Sequence, residues 1–231
     1  MTSAGFLDDA LRRLVPPAVR CASAPIDEDV AFRHAAESDV VVRAVAKRAR
    51  EFATGRRLAH ELLDALGCAD IPLLPGDRRA PLWPSGVRGT IAHCRDACVV
   101  AVTTDMRIAG LGLDVEPATP LRDELVRRIL GDDERQVLAA RDEARRGLLA
   151  KAAFCAKEAV YKAISARVGV VLEFSDVRLA LERLDPASDG EARVALAELV
   201  RDGLPLPRGT TLEVRVLRHA GLLLAGVVLP A

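Results

Sequence analysis

The sequence predicts an α+β fold of two similar lobes, with long helices packed on antiparallel sheets. Two stretches carry this expectation. A helical pattern over residues 40–66 is followed by three strand-like segments, and a second over residues 147–166 is followed by four more. The third observation is that no low-complexity or linker-like segment separates the halves, so the lobes should share an interface, although no repeat of fixed period relates them.

The first forty residues are punctuated by Pro16, Pro17 and Pro25 and carry only a weak helical pattern. In the first long helix Leu58, Leu62, Leu63 and Leu66 recur at helical spacing, and Gly67 is placed to cap its C-terminus. Arg43, Lys47, Arg48, Arg50, Arg56 and Arg57 occupy the opposite face. A Pro- and Gly-rich loop spans residues 72–89, and residues 90–93, 97–103 and 108–116 read as strands. The last two are expected to pair as a hairpin through residues 104–107. Pro117 and Pro120 mark a break, which divides the chain into residues 1–117 and 118–231. Beyond it come a charged amphipathic stretch at 121–138, the second helix, and strands at 171–181, 191–199, 211–217 and 222–229.

Composition narrows the function classes. The 231 residues are 50% apolar, enough for a large core built mostly from aliphatic side chains, since aromatics are only 3%. Lys+Arg and Asp+Glu both total 33, so no global field favours nucleic acid or a membrane surface, and a charged ligand must be held by local clusters. Cys21, Cys68, Cys94, Cys98 and Cys155 lack paired zinc spacing and read as buried reduced thiols. The acidic start and an apolar C-terminal run short of the ~20 residues of a membrane helix imply a soluble cytoplasmic protein.

The chemistry-bearing residues lie on one strand and the second helix. Gly112-Leu113-Asp114-Val115-Glu116 ends an apolar strand, where alternation puts Asp114 and Glu116 on one face. Two carboxylates so placed repel unless a cation lies between them, and hard oxygen ligands suit Mg²⁺. The other reading is a strand edge entering a loop. On the helix, Lys151, Phe154, Glu158 and Lys162 share a face. Glu158 and Lys162 alone would read as a solvated i,i+4 pair, but Phe154 interrupts such a face and suggests a packed or cleft-lining surface.

Together, GLGLDVEP and FCAKEAVYKA resemble the signature of the Sfp-type 4'-phosphopantetheinyl transferases, a (V/I)G(I/L)D(V/I)E strand followed by (W/F)xxKEAxxKA about forty residues on. Upstream, Lys47-Arg48-Ala49-Arg50-Glu51-Phe52, Arg56, residues 76–84 and Ala92-His93-Cys94 are similar to the enterobactin-type and mycobacterial branch. The resemblance implies the pseudo-dimeric fold of that family and transfer of the phosphopantetheine arm of coenzyme A to a serine of an apo acyl or peptidyl carrier protein, releasing 3',5'-ADP. It implies Asp114, Glu116 and Glu158 as ligands of Mg²⁺, or of Mn²⁺, which the same oxygens accept. Glu158 is also a candidate base, and Lys162 supports developing negative charge. It further implies coenzyme A contacts from Arg48, Arg56, Arg78, His93, Lys157 and Lys162, with Arg78 beside the adenine. A siderophore or secondary-metabolite setting and a monomer are expected by the same analogy, with neither nucleic acid nor membrane as partner.

Departures from the family pattern are Ala92 for Ser or Thr, Arg79 for a glycine, Phe154 for Trp, and a loop over residues 164–172 without the branch's aromatic pair. The basic and apolar residues of 121–130 suit an acidic helical carrier, or equally a helix packing inward. A magnesium-dependent phosphohydrolase using the same carboxylates has no need of the helix lysines or upstream arginines. A non-catalytic coenzyme A-binding module would not need all of Asp114, Glu116, Glu158 and Lys162.

Overall fold

A computed structural model describes residues 6–29, 31–76, 80–168, 172–184, 189–204 and 206–231. Two helix-on-antiparallel-sheet units make up the fold. In the first, β1 (Arg20–Pro25), β3 (Ala97–Thr103) and β2 (Arg88–His93) form a sheet in that order. In the second, β4 (Ile108–Pro117), β8 (Leu222–Pro230), β7 (Thr211–His219), β6 (Ala192–Leu199) and β5 (Val177–Leu179) are all antiparallel. Short helices α1 (Asp8–Arg12) and α2 (Ala35–Val41) precede the long helix α3 (Ala46–Ala65). The helices α4 (Asp123–Ile129) and α5 (Asp132–Ala139) lead into α6 (Glu143–Val168).

Alternation along the strands builds three apolar cores. Cys98, Val100 and Val102 of β3 face Leu58, Leu62 and Leu63 of α3. Val99 and Ala101, pointing the other way, join Leu111, Leu113 and Val115 of β4 and Leu222 and Leu224 of β8. That second cluster is the apolar seam between the units. Leu223, Ala225, Val227 and Leu229 of β8 turn towards Ala152, Ala156, Ala159 and Ala163 of α6. α6 can be alanine-rich on its buried side because the sheet approaches closely there.

The long helix expected over 40–66 is two helices, interrupted at residues 42–45, and Gly67 caps the second as proposed. Its φ is +66°, Cys68 N–H donates to Leu63 O at 3.0 Å and Gly67 N–H to Asp64 O at 3.0 Å, a Schellman motif. The stretch 121–138 is likewise two helices, broken at Leu130 and Gly131. α6 begins four residues before the expected start. β1, within the segment read as irregular, was not anticipated.

The hairpin expected between 97–103 and 108–116 does not form. β3 pairs with β2 and β1, and β4 crosses to pair with β8 from the far end of the chain. β3 is apolar on both faces, as is β4 before Asp114, and such stretches carry no sequence signal for which neighbour they take. Of the segment 171–181, residue 171 lies outside the described residues; the rest holds only β5 between short 3₁₀ turns at Phe174–Asp176 and Leu181–Arg183. Three of the five thiols, Cys94, Cys98 and Cys155, are buried, whereas Cys21 and Cys68 are half-buried; all five are free. Among the described residues no helix is long and apolar enough to cross a membrane.

Candidate active site

The contact between β4 and α6 decides the geometry. Gly110 and Gly112 face α6 so closely that a Cβ on Gly112 would lie 1.9 Å from the Ala159 carbonyl oxygen, and one on Gly110 2.2 Å from that of Ala163. Two residues further along the same face are Asp114 and then Glu116. Strand and helix are thus pressed together just where the carboxylates begin. Lys162 Nζ donates to Asp114 Oδ1 at 2.6 Å, and Lys151 Nζ to Glu116 Oε2 at 3.1 Å. The lysines at the two ends of the helix face therefore clamp the two strand acids, with Glu158 on the same helix face between them.

This is a carboxylate-rich, partly desolvated site. Burial pushes the Glu158 carboxyl above its ordinary range; Lys162 opposes the rise, and Asp114 and Glu116 add to it. Burial and then Asp114 raise Glu116 likewise, against the pull of Lys151. Burial lowers the pKa of Lys162, but Asp114 and Glu158 together more than offset it, so Lys162 is raised above its usual range. Asp114 is only 5% exposed, and its Oδ2 is buried with no hydrogen-bond partner. An orphaned carboxylate oxygen beside two acids already strained by proximity is the environment that a hard divalent cation satisfies. The donor set fits Mg²⁺.

β2 and β4, edge strands of the two sheets, lie side by side, and Leu113 N–H donates to Thr90 Oγ1 at 3.3 Å. The end of β2 therefore reaches the site from the first unit. His93 has its pKa lowered by burial; Glu51 opposes, while Arg48 and Lys162 add to the lowering. Arg48 Nη1 lies 2.7 Å from His93 Nε2, which must accept, leaving the imidazole neutral with its proton on Nδ1 towards Glu51 Oε2, 3.5 Å away. Arg56 is 5% exposed, donates Nε to Leu73 O at 2.6 Å, and stacks 4.1 Å over the Phe52 ring. Burial lowers its pKa to about 10, with Glu37 opposing and the like charge of Arg48 adding to the drop. Arg48 and Arg56 thus form a basic pair whose charges disfavour one another, with the neutral His93 beside Arg48, an arrangement that an anion relieves.

The expectation for Lys157 is corrected. Its side chain is 2% exposed, and the ammonium donates to Ile129 O at 2.9 Å, Glu134 Oε2 at 2.8 Å and Phe174 O at 3.0 Å. Those bonds use all three of its protons, so Lys157 ties α6 to α4, α5 and the turn at Phe174 and has none left for coenzyme A. Arg78 and Arg79 lie outside the described residues. Ala92 is buried in the seam between the sheets. Phe154 meets Phe174 at 5.7 Å between ring centroids.

Sequence comparison finds family matches in both halves of the chain. Residues 36–103 match the 4'-phosphopantetheinyl transferase N-terminal domain, and residues 110–198 match the 4'-phosphopantetheinyl transferase superfamily. The 4'-phosphopantetheinyl transferase PptT of Mycobacterium tuberculosis is 33% identical over 200 residues, covering 84% of this chain and 84% of that protein. The chain belongs to the 4'-phosphopantetheinyl transferase superfamily. Npt of Nocardia iowensis is 33% identical over 179 residues, 78% of this chain and 80% of the relative. Svp of Streptomyces mobaraensis is 39% identical over 157 residues, and the chain spans 64% of its length.

Within this 4'-phosphopantetheinyl transferase architecture, two participants escaped sequence reasoning. Glu51 stands 3.9 Å from Arg48 Nη1 and on the Nδ1 side of His93; its i,i+3 spacing from Arg48 was the available signal. Glu134 accepts from Lys157, from Gly131 N–H at 2.7 Å and from Leu179 N–H at 2.8 Å. Its place in the acidic first turn of α5 hinted at a cap, but nothing local pointed to Lys157.

Proposed function

We propose that this chain transfers the 4'-phosphopantetheine arm of coenzyme A to a serine of an apo carrier protein and releases 3',5'-ADP. The observation that carries the reading is the β4–α6 contact, which sets Asp114, with its partnerless buried oxygen, beside Lys162 and on the face of Glu158. In this reading the serine Oγ attacks the β-phosphorus, the bond from that phosphorus to the oxygen of 3',5'-ADP breaks, and the serine proton passes to the Glu158 carboxylate. Asp114, Glu116 and Glu158 would hold Mg²⁺, which supplies neutralisation of the diphosphate as negative charge builds on the leaving oxygen. Lys162, kept charged by Asp114, would orient the same phosphate oxygens.

Arg48, Arg56 and His93 would grip the 3'-phosphate, Arg48 exchanging the imidazole for a phosphate oxygen. A cavity of about 220 Å³ bordered by Glu158, Tyr161, Leu172 and Phe174 is narrow and mixed in polarity, as a pantetheine arm requires. On α4, Ile129 is buried and Leu125 and Val126 are partly buried against the core, while Arg127 and Arg128 stay exposed. This leaves exposed arginines, Arg122, Arg127 and Arg128, beside Asp123 and Glu124, with the arginines offered to an acidic carrier. In this division of labour the part of residues 1–117 before β4 grips the nucleotide, β4 joins the sheet of the second half and brings Asp114 and Glu116 to it, and 118–231 carry the catalytic helix and the docking face. The chain acts as a monomer in the cytoplasm.

The test is intact-mass spectrometry of several apo carrier proteins incubated with the protein, coenzyme A and Mg²⁺, with and without EDTA. A gain of one phosphopantetheine that EDTA abolishes is the expected result. Absence of both transfer and coenzyme A binding would refute the reading.

A further inference from the structure

A second cluster lies on the first unit, away from β4 and α6. His34 immediately precedes α2, His60 sits on the inner side of α3, and Asp70 lies in the segment leaving α3. One ligating atom from each falls within 4.8 Å of the others. His34 Nε2 is 2.9 Å from Asp70 Oδ1, and the two imidazole centroids are 5.1 Å apart with the rings inclined at 53°. Behind His60 stands Glu37, whose side chain is fully buried. Glu37 Oε1 meets His60 Nε2 at 2.8 Å and accepts Leu73 N–H at 2.7 Å, while Oε2 is buried with no hydrogen-bond partner.

A buried carboxylate with a free oxygen against an imidazole is the outer-shell arrangement that fixes a ligating histidine. It holds the proton on one ring nitrogen and makes the other a stronger donor. Two imidazoles and a carboxylate form a mixed nitrogen and oxygen set that suits borderline transition cations better than Mg²⁺. We propose that His34, His60 and Asp70 form a binding site for a transition cation of the Zn²⁺ class, with Glu37 orienting His60 from behind. The fourth position is left to water. Arg33 Nε is 2.9 Å from Asp70 Oδ1, and Arg33 Nη1 is 2.7 Å from Asp64 Oδ2. Arg33 therefore occupies the cation position at Asp70 and has Asp64 to retain when a metal replaces it. Entry is from the Asp70 side, since Asp70 is exposed and His60 is buried.

The site has a structural consequence. It closes the chain from residue 34 to residue 70 into a loop held at three points. Glu37 also holds Leu73 N–H, and Leu73 O accepts from Arg56. A bound cation would therefore stiffen the segment that positions Arg56. The inference does not depend on the transfer reaction.

The experiment titrates the metal-stripped full chain with Zn²⁺ by calorimetry and with Co²⁺ by visible absorption, and follows thermal melting. One tight equivalent should bind, with tetrahedral Co²⁺ bands, no thiolate charge-transfer band, and a raised Tm, while any weaker equivalent held by Asp114, Glu116 and Glu158 should be lost in Asp114→Asn. His34→Gln and Asp70→Asn lie at the accessible side, and each should weaken Zn²⁺ by more than about 100-fold, beyond the ~10–100-fold typical of outer-shell changes. Their metal-free melting should stay near that of the parent. Cys68→Ser should bind Zn²⁺ like the parent, and Asp114→Asn should keep the tight equivalent unchanged. No Zn²⁺ uptake, parent affinity in both ligand variants, or loss of binding in Cys68→Ser would each overturn the proposal.

Discussion

Gly112→Ala tests the contact on which the site depends. The added Cβ would stand 1.9 Å from Ala159 O and 2.8 Å from Ala163 N, both backbone atoms of α6, so no side-chain rotation removes the clash. Restoring ordinary contact at 3.4 Å or more requires β4 and α6 to separate by about 1.5 Å at that point. Overpacking of this kind costs about 1–3 kcal/mol, and a clash against two backbone atoms belongs at the upper end. At ~3 kcal/mol a domain of this size loses roughly 6–12 °C in Tm. The same movement carries Asp114 and Glu116 away from Glu158, and a displacement of ~1 Å in a catalytic array costs about 100-fold in rate. Thermal melting reads the first effect and carrier modification by mass spectrometry the second. Gly131→Ala is the control, because its Cβ would meet only Glu134 Oε2 at 3.6 Å. A Gly112→Ala protein with parental Tm and turnover would show that the strand–helix approach sets neither stability nor geometry.

Glu158→Gln should abolish transfer while melting at or above the parental temperature, because it removes a charge that burial, Asp114 and Glu116 disfavour; near-parental turnover would remove Glu158 from both its proposed roles. Arg48→Ala should raise KM for coenzyme A more than it lowers kcat, and an unchanged KM would place Arg48 on a merely solvated face. Lys157→Met should cost about 3–5 kcal/mol in denaturant unfolding, since Glu134 is left buried without its cation; a coenzyme A KM defect without loss of stability would contradict the saturated geometry. Glu116 and Glu158 both have folded-state pKa values above the ordinary ~4.3, so their contribution to stability is present below that value and lost as pH rises through the raised values. The rise in Tm on adding Mg²⁺ should therefore grow from about pH 5 towards neutrality and vanish in Asp114→Asn. An equal rise at both pH values would place the ion elsewhere.

The sequence alone determined the two long helices, most of the strands and the chemical types at the site. Leucine spacing in α3, the glycine after it, and the alternation through Asp114 and Glu116 are local properties, governed by bond geometry and side-chain period, and the structure bears them out. Lys151 and Lys162 share a helix face for the same reason, and each meets a carboxylate of the strand. The tertiary structure alone decided which strand lies beside which. β3, and β4 before Asp114, are apolar on both faces, so nothing local distinguished a hairpin between them from the observed pairing of β4 with β8, more than a hundred residues later in the chain. The tertiary structure also separated two lysines that look alike in FCAKEAVYKA. Lys157 points into the body of the protein, where Glu134 and two carbonyl oxygens saturate it, whereas Lys162 faces Asp114 at the site. Helical period assigns a residue to a face, but which face meets a cleft depends on the packing of α4, α5 and the turn at Phe174. The glycines of GLGLDVEP show the same limit. Their lack of a side chain was visible in the sequence, but its use, to let a helix backbone press against the strand, appeared only when α6 was in place.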